Sequence, residues 1–477
     1  RLEGHGKIDI FLNDEGDVEN AYLQIPELRG FERFCEGRVA EDMPNLTSRI
    51  CGVCPIAHHM AAAKAGDAVY HVDPPPTAKK LRELMYSAFF VADHATHFYI
   101  LGGPDFVVGP DAPKSERNIL GVVRKVGKAV GAKVMQLLKD NHEITAMIGG
   151  RYIHSVSAIV GGVSKPITEE DRLAILERAK RSVDFAKESL QLFDDIVLGN
   201  PQYVDMITSD AFAHQTYYMG LVDENNHVNF YDGKVRVVTP DGEEFIKYGP
   251  EEYLDVISEH IEPWTYLKFP YLKKVGWKGF VDGPDSGVYR ASPLSRLNAS
   301  DGMATPEAQA MYEKFFDTMG GKPVHSTLAT HWARLIELLY AAERAVELAS
   351  DETITNPEVH TIPTETPTEG IAIVEAPRGT LTHHYKTDER GLVQAVNLIV
   401  GTTNNYAAID MSIVKAAKDL IKAGQAVTDA ALNKIEMAFR AYDPCMGCAT
   451  HAQPGETPLQ IKLFDHQHSL IEEIQRD

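Results

Sequence analysis

Two Cys-x-x-Cys pairs near opposite ends of the chain limit what this sequence can fold into. Cys51 and Cys54 form the first pair, Cys445 and Cys448 form the second, and Cys445 follows Cys54 by 391 positions. A turn brings residues i and i+3 together, so each pair can direct two thiolates at one metal ion. Two such pairs make a four-thiolate site, and a chain that uses both at one site must bring its two ends together.

The spacing of the pairs alone leaves three interpretations open: structural zinc, an active metal centre, or two unrelated pairs. Structural zinc is the commonest meaning of two Cys-x-x-Cys pairs, but those pairs are usually tens of residues apart. A redox-active pair usually stands alone beside a βαβ pattern, which this sequence lacks. The fifth cysteine, Cys35, stands alone, and we interpret it as a small buried apolar residue.

The composition excludes several classes of function. The chain has 477 residues, of which 44% are hydrophobic and 24% charged, as is ordinary for a soluble globular protein. The net charge of −21 argues against nucleic acid as a partner, because phosphate binding needs a basic face. No stretch reaches about 18 apolar residues, so the sequence predicts no direct membrane insertion. Five cysteines are too few for a disulfide framework, which fits a reducing, cytoplasmic location.

The spacing of apolar residues predicts a mainly α-helical protein, a large multihelical bundle with small peripheral β-elements. Apolar residues recur at three- and four-residue intervals over long stretches, which is typical of helices with one buried face. The predicted helices cover residues 79–101, 115–148, 169–198, 306–319, 326–350, 410–423 and 426–442.

The predicted β-elements are few and short. Alternating apolar and polar residues indicate a hairpin over residues 7–28, and a second hairpin over 226–238 with its turn at Asp232-Gly233. A strand over 370–375 leads into a loop at 376–379. No hydrophobic break marks a boundary, so we expect a single domain over residues 1–477 that ends in a tail at 452–477.

The residues that flank the cysteines distinguish between the interpretations of the pairs. Arg-x-Cys-Gly-x-Cys-x-x-x-His spans residues 49–58, and Asp-Pro-Cys-x-x-Cys-x-x-His spans 443–451. Four further segments are Arg-Leu-Glu-Gly-His at 1–5, Arg-Gly-Phe-Glu at 29–32, Asp-His-Ala-Thr-His-Phe-Tyr at 93–99 and Glu-Ala-Pro-Arg-Gly at 375–379. In this order, the six segments resemble the signature motifs of nickel–iron hydrogenase large subunits. The resemblance is weaker over about 200–285.

This resemblance implies the hydrogenase large-subunit fold and a nickel–iron centre on the four paired cysteines. Cys51 and Cys445 would be terminal nickel ligands, and Cys54 and Cys448 would bridge nickel to iron. The iron would also carry two cyanides and one carbon monoxide. The implied reaction is the reversible heterolytic cleavage of dihydrogen.

The resemblance also implies roles for residues around the centre. Glu3 would be the first carboxylate of the proton relay. Arg378 and Pro377 would line the cavity over the metals, and Asp93 and Asp443 would fix that arginine.

Two further contacts and a second metal site follow from the same resemblance. His58 would hydrogen-bond a bridging sulfur, and Thr402 would hydrogen-bond a cyanide. Glu32, the backbone carbonyl of Leu398 and His451 would hold magnesium, or iron, near the C-terminus.

The expected partner is an iron–sulfur small subunit, because the chain has no further cysteine cluster to receive electrons. Further electron-transfer subunits are expected, carrying flavin, heterodisulfide reductase or NAD/ferredoxin modules, as in the cytoplasmic multimeric hydrogenases. Two alternatives are a complex I-type quinone-site subunit of the same fold, which lacks the metal thiolates, and a structural zinc protein.

Overall fold

The computed structural model describes most of the chain, namely residues 4–25, 30–265, 267–446 and 459–476. Three of the predicted site residues lie outside these ranges: Glu3, Cys448 and His451.

Helices form the body of the described protein, as the apolar pattern predicts. They are α1 (Phe31–Cys35), α2 (Met43–Thr47), α3 (Pro55–Val69), α4 (Pro76–Thr96), α5 (Pro104–Val107), α6 (Ile119–Val126), α7 (Lys128–Gly149), α8 (Glu169–Phe193), α9 (Pro201–Thr208), α10 (Tyr253–Val256), α11 (Pro293–Ala299), α12 (Pro306–Met319), α13 (Thr330–Ser350), α14 (Tyr406–Leu420) and α15 (Asp429–Arg440). Within the described ranges, none of these helices is both long and apolar enough to cross a membrane.

Helix α13 lies at the centre of the bundle and packs against α4, α8 and α12. Its apolar residues continue around most of its circumference, and a helix of that kind must be buried. Leu335, Leu338 and Ala342 are completely buried, and Leu339 is 1% exposed. The helices that carry the functional site are therefore built on a rigid, close-packed core.

One predicted helix is divided in the structure. The stretch predicted over 115–148 forms α6 and α7, which meet at Gly127 with a φ of +93°. That backbone conformation is accessible to glycine and ends a helix, so the apolar period continues across a break that it does not reveal. The other predicted helices are confirmed, with ends shifted by a few residues.

The strands form small sheets at the edges of the bundle. They are β1 (Gly6–Leu12), β2 (Val18–Gln24), β3 (Ala158–Ile159), β4 (Gly162–Val163), β5 (Tyr217–Val222), β6 (His227–Val228), β7 (Lys234–Val238), β8 (Glu244–Tyr248), β9 (Ile257–Ile261), β10 (Lys268–Leu272), β11 (Tyr289–Arg290), β12 (Gly302–Met303), β13 (Glu369–Ala376), β14 (Gly379–Thr387), β15 (Val393–Ile399), β16 (Leu459–Phe464) and β17 (Leu470–Arg476).

The N-terminal hairpin is confirmed, and the C-terminus extends it. Strands β1 and β2 pair antiparallel, as the alternation over 7–28 predicts. Strand β16 pairs with β1 in parallel and β17 follows it, which gives a four-stranded sheet in the order β17-β16-β1-β2. The predicted tail is therefore, in its described part, a structural element of the N-terminal sheet.

The second predicted hairpin is wrong. Strands β6 and β7 flank the proposed turn but do not pair, because β5 lies between them in the order β12-β6-β5-β7-β8. All six residues of β5 are buried, so its side chains do not alternate between apolar and polar in sequence. The local pattern over 226–238 therefore misses the strand that both neighbours bind.

The three-stranded sheet β13-β14-β15 positions the functional site. The strand predicted over 370–375 is confirmed as β13, which pairs antiparallel with β14. Ala376 pairs with Gly379, so the connection is a two-residue tip made of Pro377 and Arg378. This tip extends from the sheet towards the N-terminal end of α3.

Candidate metal centre

The first cysteine pair lies between a short 3₁₀ turn and helix α3. Cys51 follows the turn Ser48–Ile50, and Cys54 directly precedes α3. Pro55 occupies the first helical position, where its missing N–H removes no helical hydrogen bond. The backbone N–H of Cys54 donates to Cys51 Sγ at 2.8 Å, so the turn holds the two sulfur atoms close together.

The second pair reaches the same place from the other end of the chain. Cys445 Sγ lies 3.4 Å from Cys51 Sγ, and the sulfur atoms of Cys51, Cys54 and Cys445 all lie within 4.8 Å of one another. Asp443, two residues earlier, has a φ of +57°, which a residue other than glycine rarely adopts. Conformations of that kind cluster at functional sites, where the surrounding structure holds them. The fourth predicted ligand, Cys448, lies outside the described residues.

Burial and proximity determine what these sulfur atoms can bind. Cys51 is 2% exposed and Cys54 is 6% exposed. The contact with Cys51, together with burial, raises the pKa of Cys54 well above its ordinary value. Thiolates this close and this buried need a compensating positive charge, which a metal ion supplies. The donor set, soft sulfur in a protected turn, fits nickel, iron or zinc.

A cavity with an empty volume of about 340 Å³ adjoins the three sulfur atoms. Besides the cysteines, its lining residues are Ile50, His58, Ala376, Arg378, Leu381, Val400, Gly401 and Thr402. Pro377, which the sequence places over the metals, is not among these lining residues, although both of its neighbours are.

Arg378 extends from the hairpin tip into this cavity and is held there by two carboxylates. Its Nη1 atom lies 3.2 Å from Asp93 Oδ2, and its Nη2 atom lies 2.9 Å from Asp443 Oδ2. Burial alone would lower the pKa of Arg378, but Asp443 and Asp93 raise it well above its ordinary value. The guanidinium is therefore charged, and its Nε atom is buried without a hydrogen-bond partner among the described residues.

A second buried arginine lies behind Asp443. Arg334 Nη2 donates to the carbonyl of Ala441 at 2.9 Å. Burial lowers the pKa of Arg334 to about 10, although Asp443 raises it. His97 Nε2 lies 3.8 Å from Asp443 Oδ1, and burial lowers the pKa of this histidine well below its ordinary value. His97 is therefore neutral, and the arginines carry the positive charge around Asp443.

His58 lines the cavity and begins a chain of buried hydrogen bonds. Its Nδ1 atom lies 3.1 Å from His383 Nε2, and His383 Nδ1 lies 2.6 Å from the hydroxyl of Tyr385. Burial lowers the pKa of His383 well below its ordinary value, so this ring is neutral. The bond to a neighbouring ring fixes the orientation of the His58 imidazole relative to the cavity.

Thr402 lies on the opposite wall, in the 3₁₀ turn Gly401–Asn405. Its hydroxyl oxygen accepts a hydrogen bond from the backbone N–H of Cys445 at 3.3 Å. A hydroxyl that accepts one hydrogen bond keeps its own hydrogen for donation, so Thr402 can donate to an acceptor in the cavity.

The structure also brings together two of the three residues predicted for a second metal. The backbone N–H of Leu398 donates to Glu32 Oε1 at 2.9 Å. In an antiparallel strand the N–H and C=O of one residue point to the same side, so the carbonyl of Leu398 also faces Glu32. The predicted third ligand, His451, lies outside the described residues.

Sequence reasoning missed three buried side chains around the centre: Arg334, His383 and Arg296. Each occurs in a helix or strand without a local motif, and only the tertiary fold places it beside the cavity or its hairpin. A charged residue within an apolar helical run, as at Arg334, was the one available signal, because such residues are seldom fully buried without a partner.

Comparison with known proteins supports the motifs and the geometry. The nickel-dependent hydrogenase family matches residues 29–120 and 206–451, and a HoxL-like family matches residues 1–28. The chain is 46% identical over 474 residues to an F420-non-reducing hydrogenase iron-sulfur subunit of Archaeoglobus profundus, covering 99% of this chain and 97% of that protein. It is 37% identical to the NAD-reducing hydrogenase HoxS subunit beta of Cupriavidus necator, covering 100% and 98%.

Solved structures agree. A chain of an NAD⁺-reducing [NiFe]-hydrogenase in the H₂-reduced state superimposes with a TM-score of 0.88 at 36% identity, covering 94% of this chain and 97% of that one. A Ni-Fe-Se hydrogenase from D. vulgaris Hildenborough has the same fold, with a TM-score of 0.73 at 23% identity and coverage of 94% and 98%.

Both the quinone-site and the zinc interpretations are disfavoured by these matches. The mainly α fold, the clustered cysteines and the matched segments agree with one another. The chain belongs to the nickel-dependent hydrogenase family, whose large subunits it matches in sequence and fold, and it is an oxidoreductase that acts on hydrogen.

Proposed function

We propose that this chain holds a nickel–iron centre on Cys51, Cys54, Cys445 and Cys448 and cleaves dihydrogen reversibly into protons and electrons. The observation that carries the proposal is the convergence of three of these sulfur atoms within 4.8 Å, from both ends of the chain. Cys51 and Cys445 would serve as terminal nickel ligands. Cys54 and Cys448 would bridge nickel to iron.

The residues around the cysteines fit a metal pair whose iron carries two cyanides and a carbon monoxide. Such small ligands need hydrogen-bond donors in an otherwise apolar cavity. Arg378 Nε is a buried donor with no partner among the described residues, and the Thr402 hydroxyl can also donate. When bound, the metal pair supplies a site where dihydrogen is polarised and split heterolytically.

The chain's own residues then provide charge, orientation and a route for protons. Arg378 places a fixed positive charge beside the cysteines, and Asp93 and Asp443 hold it there from two sides. Pro377 limits the conformations of the tip that carries this arginine. His58 orients its imidazole towards the cavity through His383. We assign the first proton transfer to Glu3, whose carboxylate can exchange a proton with a sulfur ligand.

A second metal, magnesium or iron, would be bound by Glu32, the carbonyl of Leu398 and His451. The contact between Glu32 and the backbone of Leu398 supports this site, since it directs a carboxylate and a carbonyl to one place. Two oxygen ligands with completing waters suit magnesium, whereas a histidine ligand leaves iron possible.

An iron–sulfur small subunit is the proposed electron acceptor, and the surface beside the cysteines supports this. Val53, between Cys51 and Cys54, is 39% exposed. Tyr152 and Ile153 are 50% and 42% exposed and line one pocket with Val53. Exposed apolar side chains grouped in this way mark a protein interface. We name Val53, Tyr152 and Ile153 the Val53 face.

Electron transfer favours the same face. The buried centre lies one residue from the surface there, and electrons tunnel usefully only over short distances. A partner that covers the Val53 face would therefore bring its cluster close to the metals. Further electron-transfer subunits (flavin, heterodisulfide reductase or NAD/ferredoxin modules) would carry the final acceptor chemistry, as the names of the relatives, F420-non-reducing and NAD-reducing, differ in acceptor.

Two broader proposals complete this assignment. We treat residues 1–477 as one domain, since a single buried apolar cluster includes side chains from Ile8 to Leu463. We place the protein in the cytoplasm, where thiols stay reduced and four-thiolate metal sites persist.

The test is to purify the chain anaerobically with the subunits that accompany it. We expect one nickel per chain, iron in excess of one because of the partner's clusters, and hydrogen-dependent reduction of a viologen dye. Zinc in place of nickel would favour the structural site, and the absence of both metals would favour the quinone-site alternative.

A further inference from the structure

The hairpin tip that carries Arg378 is not a turn that keeps its own shape. Two-residue hairpins favour turns in which one or both central residues have positive φ, because these match the twist of the strands. Pro377 is restricted to negative φ, and Arg378 does not have a positive φ either. The tip therefore needs contacts from outside the hairpin to hold the strands and the Arg378 side chain in place.

Arg296 provides the main contacts of this kind. Its Nη1 atom donates to the carbonyl of Ala376 at 2.9 Å, and its Nη2 atom donates to the carbonyl of Pro377 at 3.0 Å. On the other side of the tip, Asn405 Nδ2 donates to the carbonyl of Arg378 at 2.7 Å. Three successive carbonyls of the tip are thus held by buried side chains.

Arg296 is itself fixed by two carboxylates. Its Nε and Nη2 atoms donate to the two oxygens of Glu337 at 2.6 and 2.7 Å, and its Nη1 atom donates to Glu375 Oε2 at 2.9 Å. Arg296, Glu337 and Glu375 are all completely buried. His94 Nε2 lies 2.9 Å from Glu337 Oε2 and holds that carboxylate from behind. The planar guanidinium thus satisfies five acceptor contacts that an ammonium group cannot reproduce.

We propose that Arg296 is the positioning residue for Arg378: it fixes the backbone of the hairpin tip, so that the Arg378 guanidinium is held over the cysteines. The proposal rests on the function proposed above for Arg378. Arg296 is not itself among the residues that line the cavity, so it acts through the backbone of the tip.

The experiment is a double-mutant cycle on the complete enzyme with Arg296→Lys, Arg378→Lys and both together. Arg296→Lys should lower kcat roughly 10- to 100-fold, because small displacements of a catalytic group have effects of this size. The KM for dihydrogen and the nickel content should stay unchanged. In the Arg378→Lys background, the same substitution should change kcat less than about twofold, since the residue that it positions is already altered.

A matched control is Arg82→Lys. Arg82 is as buried as Arg296, pairs with Asp67 and donates to the carbonyls of Ile159 and Gly162, but it holds the β3–β4 connection instead of the tip. Both single lysine variants should unfold at lower temperature. Only Arg296→Lys should lower kcat, and only it should shift the infrared bands of diatomic ligands at the metal centre.

The outcomes separate this inference from the proposed function. Equal loss of kcat in Arg296→Lys with and without Arg378→Lys would overturn the positioning role. An Arg378→Lys enzyme with full kcat would instead overturn the role of Arg378 itself. If Arg296→Lys does not fold, Glu337→Gln loosens the same guanidinium with a smaller change, and the same pattern of non-additivity is expected of it.

Discussion

The sulfur atoms of Cys51 and Cys445 lie 3.4 Å apart although 394 positions separate the two residues. Neither residue belongs to a helix or strand that packs on the other's element by sequence proximity. The contact depends on the turn before α3, the unusual backbone at Asp443 and the hydrogen bond from Cys445 to Thr402. Metal binding at this place therefore depends on the whole fold.

Replacing any paired cysteine should remove the centre. Cys51→Ser, Cys54→Ser, Cys445→Ser and Cys448→Ser should each lose nickel and hydrogen-dependent dye reduction together, because serine is a hard and weakly acidic ligand. Metal analysis and activity of the purified complexes provide the measurement. Cys35→Ala is the control: burial raises the pKa of Cys35 to about 11, so it remains a neutral thiol, and this variant should keep its nickel. Full activity in any one of the four serine variants contradicts the four-thiolate assignment.

Glu3→Gln should separate proton transfer from metal binding. A glutamine amide cannot relay protons, and the loss of general acid–base catalysis typically lowers rates by about 10²- to 10⁴-fold. We expect normal nickel content but a fall of that size in hydrogen–deuterium exchange and in dihydrogen oxidation. An unchanged exchange rate would assign the relay to another residue.

A charge on the Val53 face should weaken binding of the iron–sulfur partner. An unpaired charge in a buried interface costs about 3–5 kcal/mol, which corresponds to a loss of affinity of roughly 100-fold or more. Tyr152→Glu and Ile153→Asp should therefore co-purify with less small subunit. Ile362→Asp, at a site that is 74% exposed in the linker before β13, is the control and should leave the complex intact. A complex of normal stoichiometry in all three variants would place the interface elsewhere.

Glu32→Gln should release the second metal and leave the first in place. Glutamine lacks the negative charge that hard cations require, so bound magnesium or non-cluster iron should fall while nickel is retained. Glu36→Gln provides the control, because Glu36 pairs with Arg33 at the surface of the same segment. Loss of nickel together with the second metal would show that Glu32 is needed for the fold and not for a separate site.

Stability should fall as the pH rises from about 4 to about 7, with Asp410 as one cause. Burial raises the pKa of Asp410 from 3.8 to about 7, and Glu262 adds to the shift, while the N–H of Leu23 opposes it. The folded protein retains a proton that the unfolded chain releases, so each pH unit in this window costs up to about 1.4 kcal/mol of unfolding free energy.

Asp410→Asn should remove this contribution, since asparagine keeps an oxygen for the Leu23 N–H and does not ionise. The difference in melting temperature between variant and wild type should grow from pH 5 to pH 7.5 in the variant's favour. Asp419→Asn, at an exposed position of the same helix, should follow the wild type. A pH-independent difference for Asp410→Asn would contradict the buried, protonated carboxyl.

The sequence predicts those parts of the fold whose signal is local. Helix α12 has the predicted bounds because its apolar residues recur every three or four positions and Pro306 begins it. The hairpin β1–β2 was predictable from alternation around a turn. The convergence of Cys51 and Cys445 was predictable only through the flanking motifs, since spacing alone left zinc open.

The remaining features depend on contacts between distant residues. Strand β5 is buried on both faces and therefore does not alternate, so its place between β6 and β7 has no local signature. The pairing of β16 with β1 joins residues from opposite termini. Arg296 looks like any helical arginine in sequence, and only the fold shows that it is completely buried under the hairpin tip.

The joining of the two ends of the chain also sets an order for biosynthesis. Ribosomes add about 5–20 residues per second, so roughly 20–80 s pass between the emergence of Cys54 and that of Cys445. During that time the N-terminal thiols have no partners from the far end, and strand β1 has an open edge where β16 will pair. A complete four-sulfur pocket can exist only after translation has almost finished, so loading of the metals is a post-translational event.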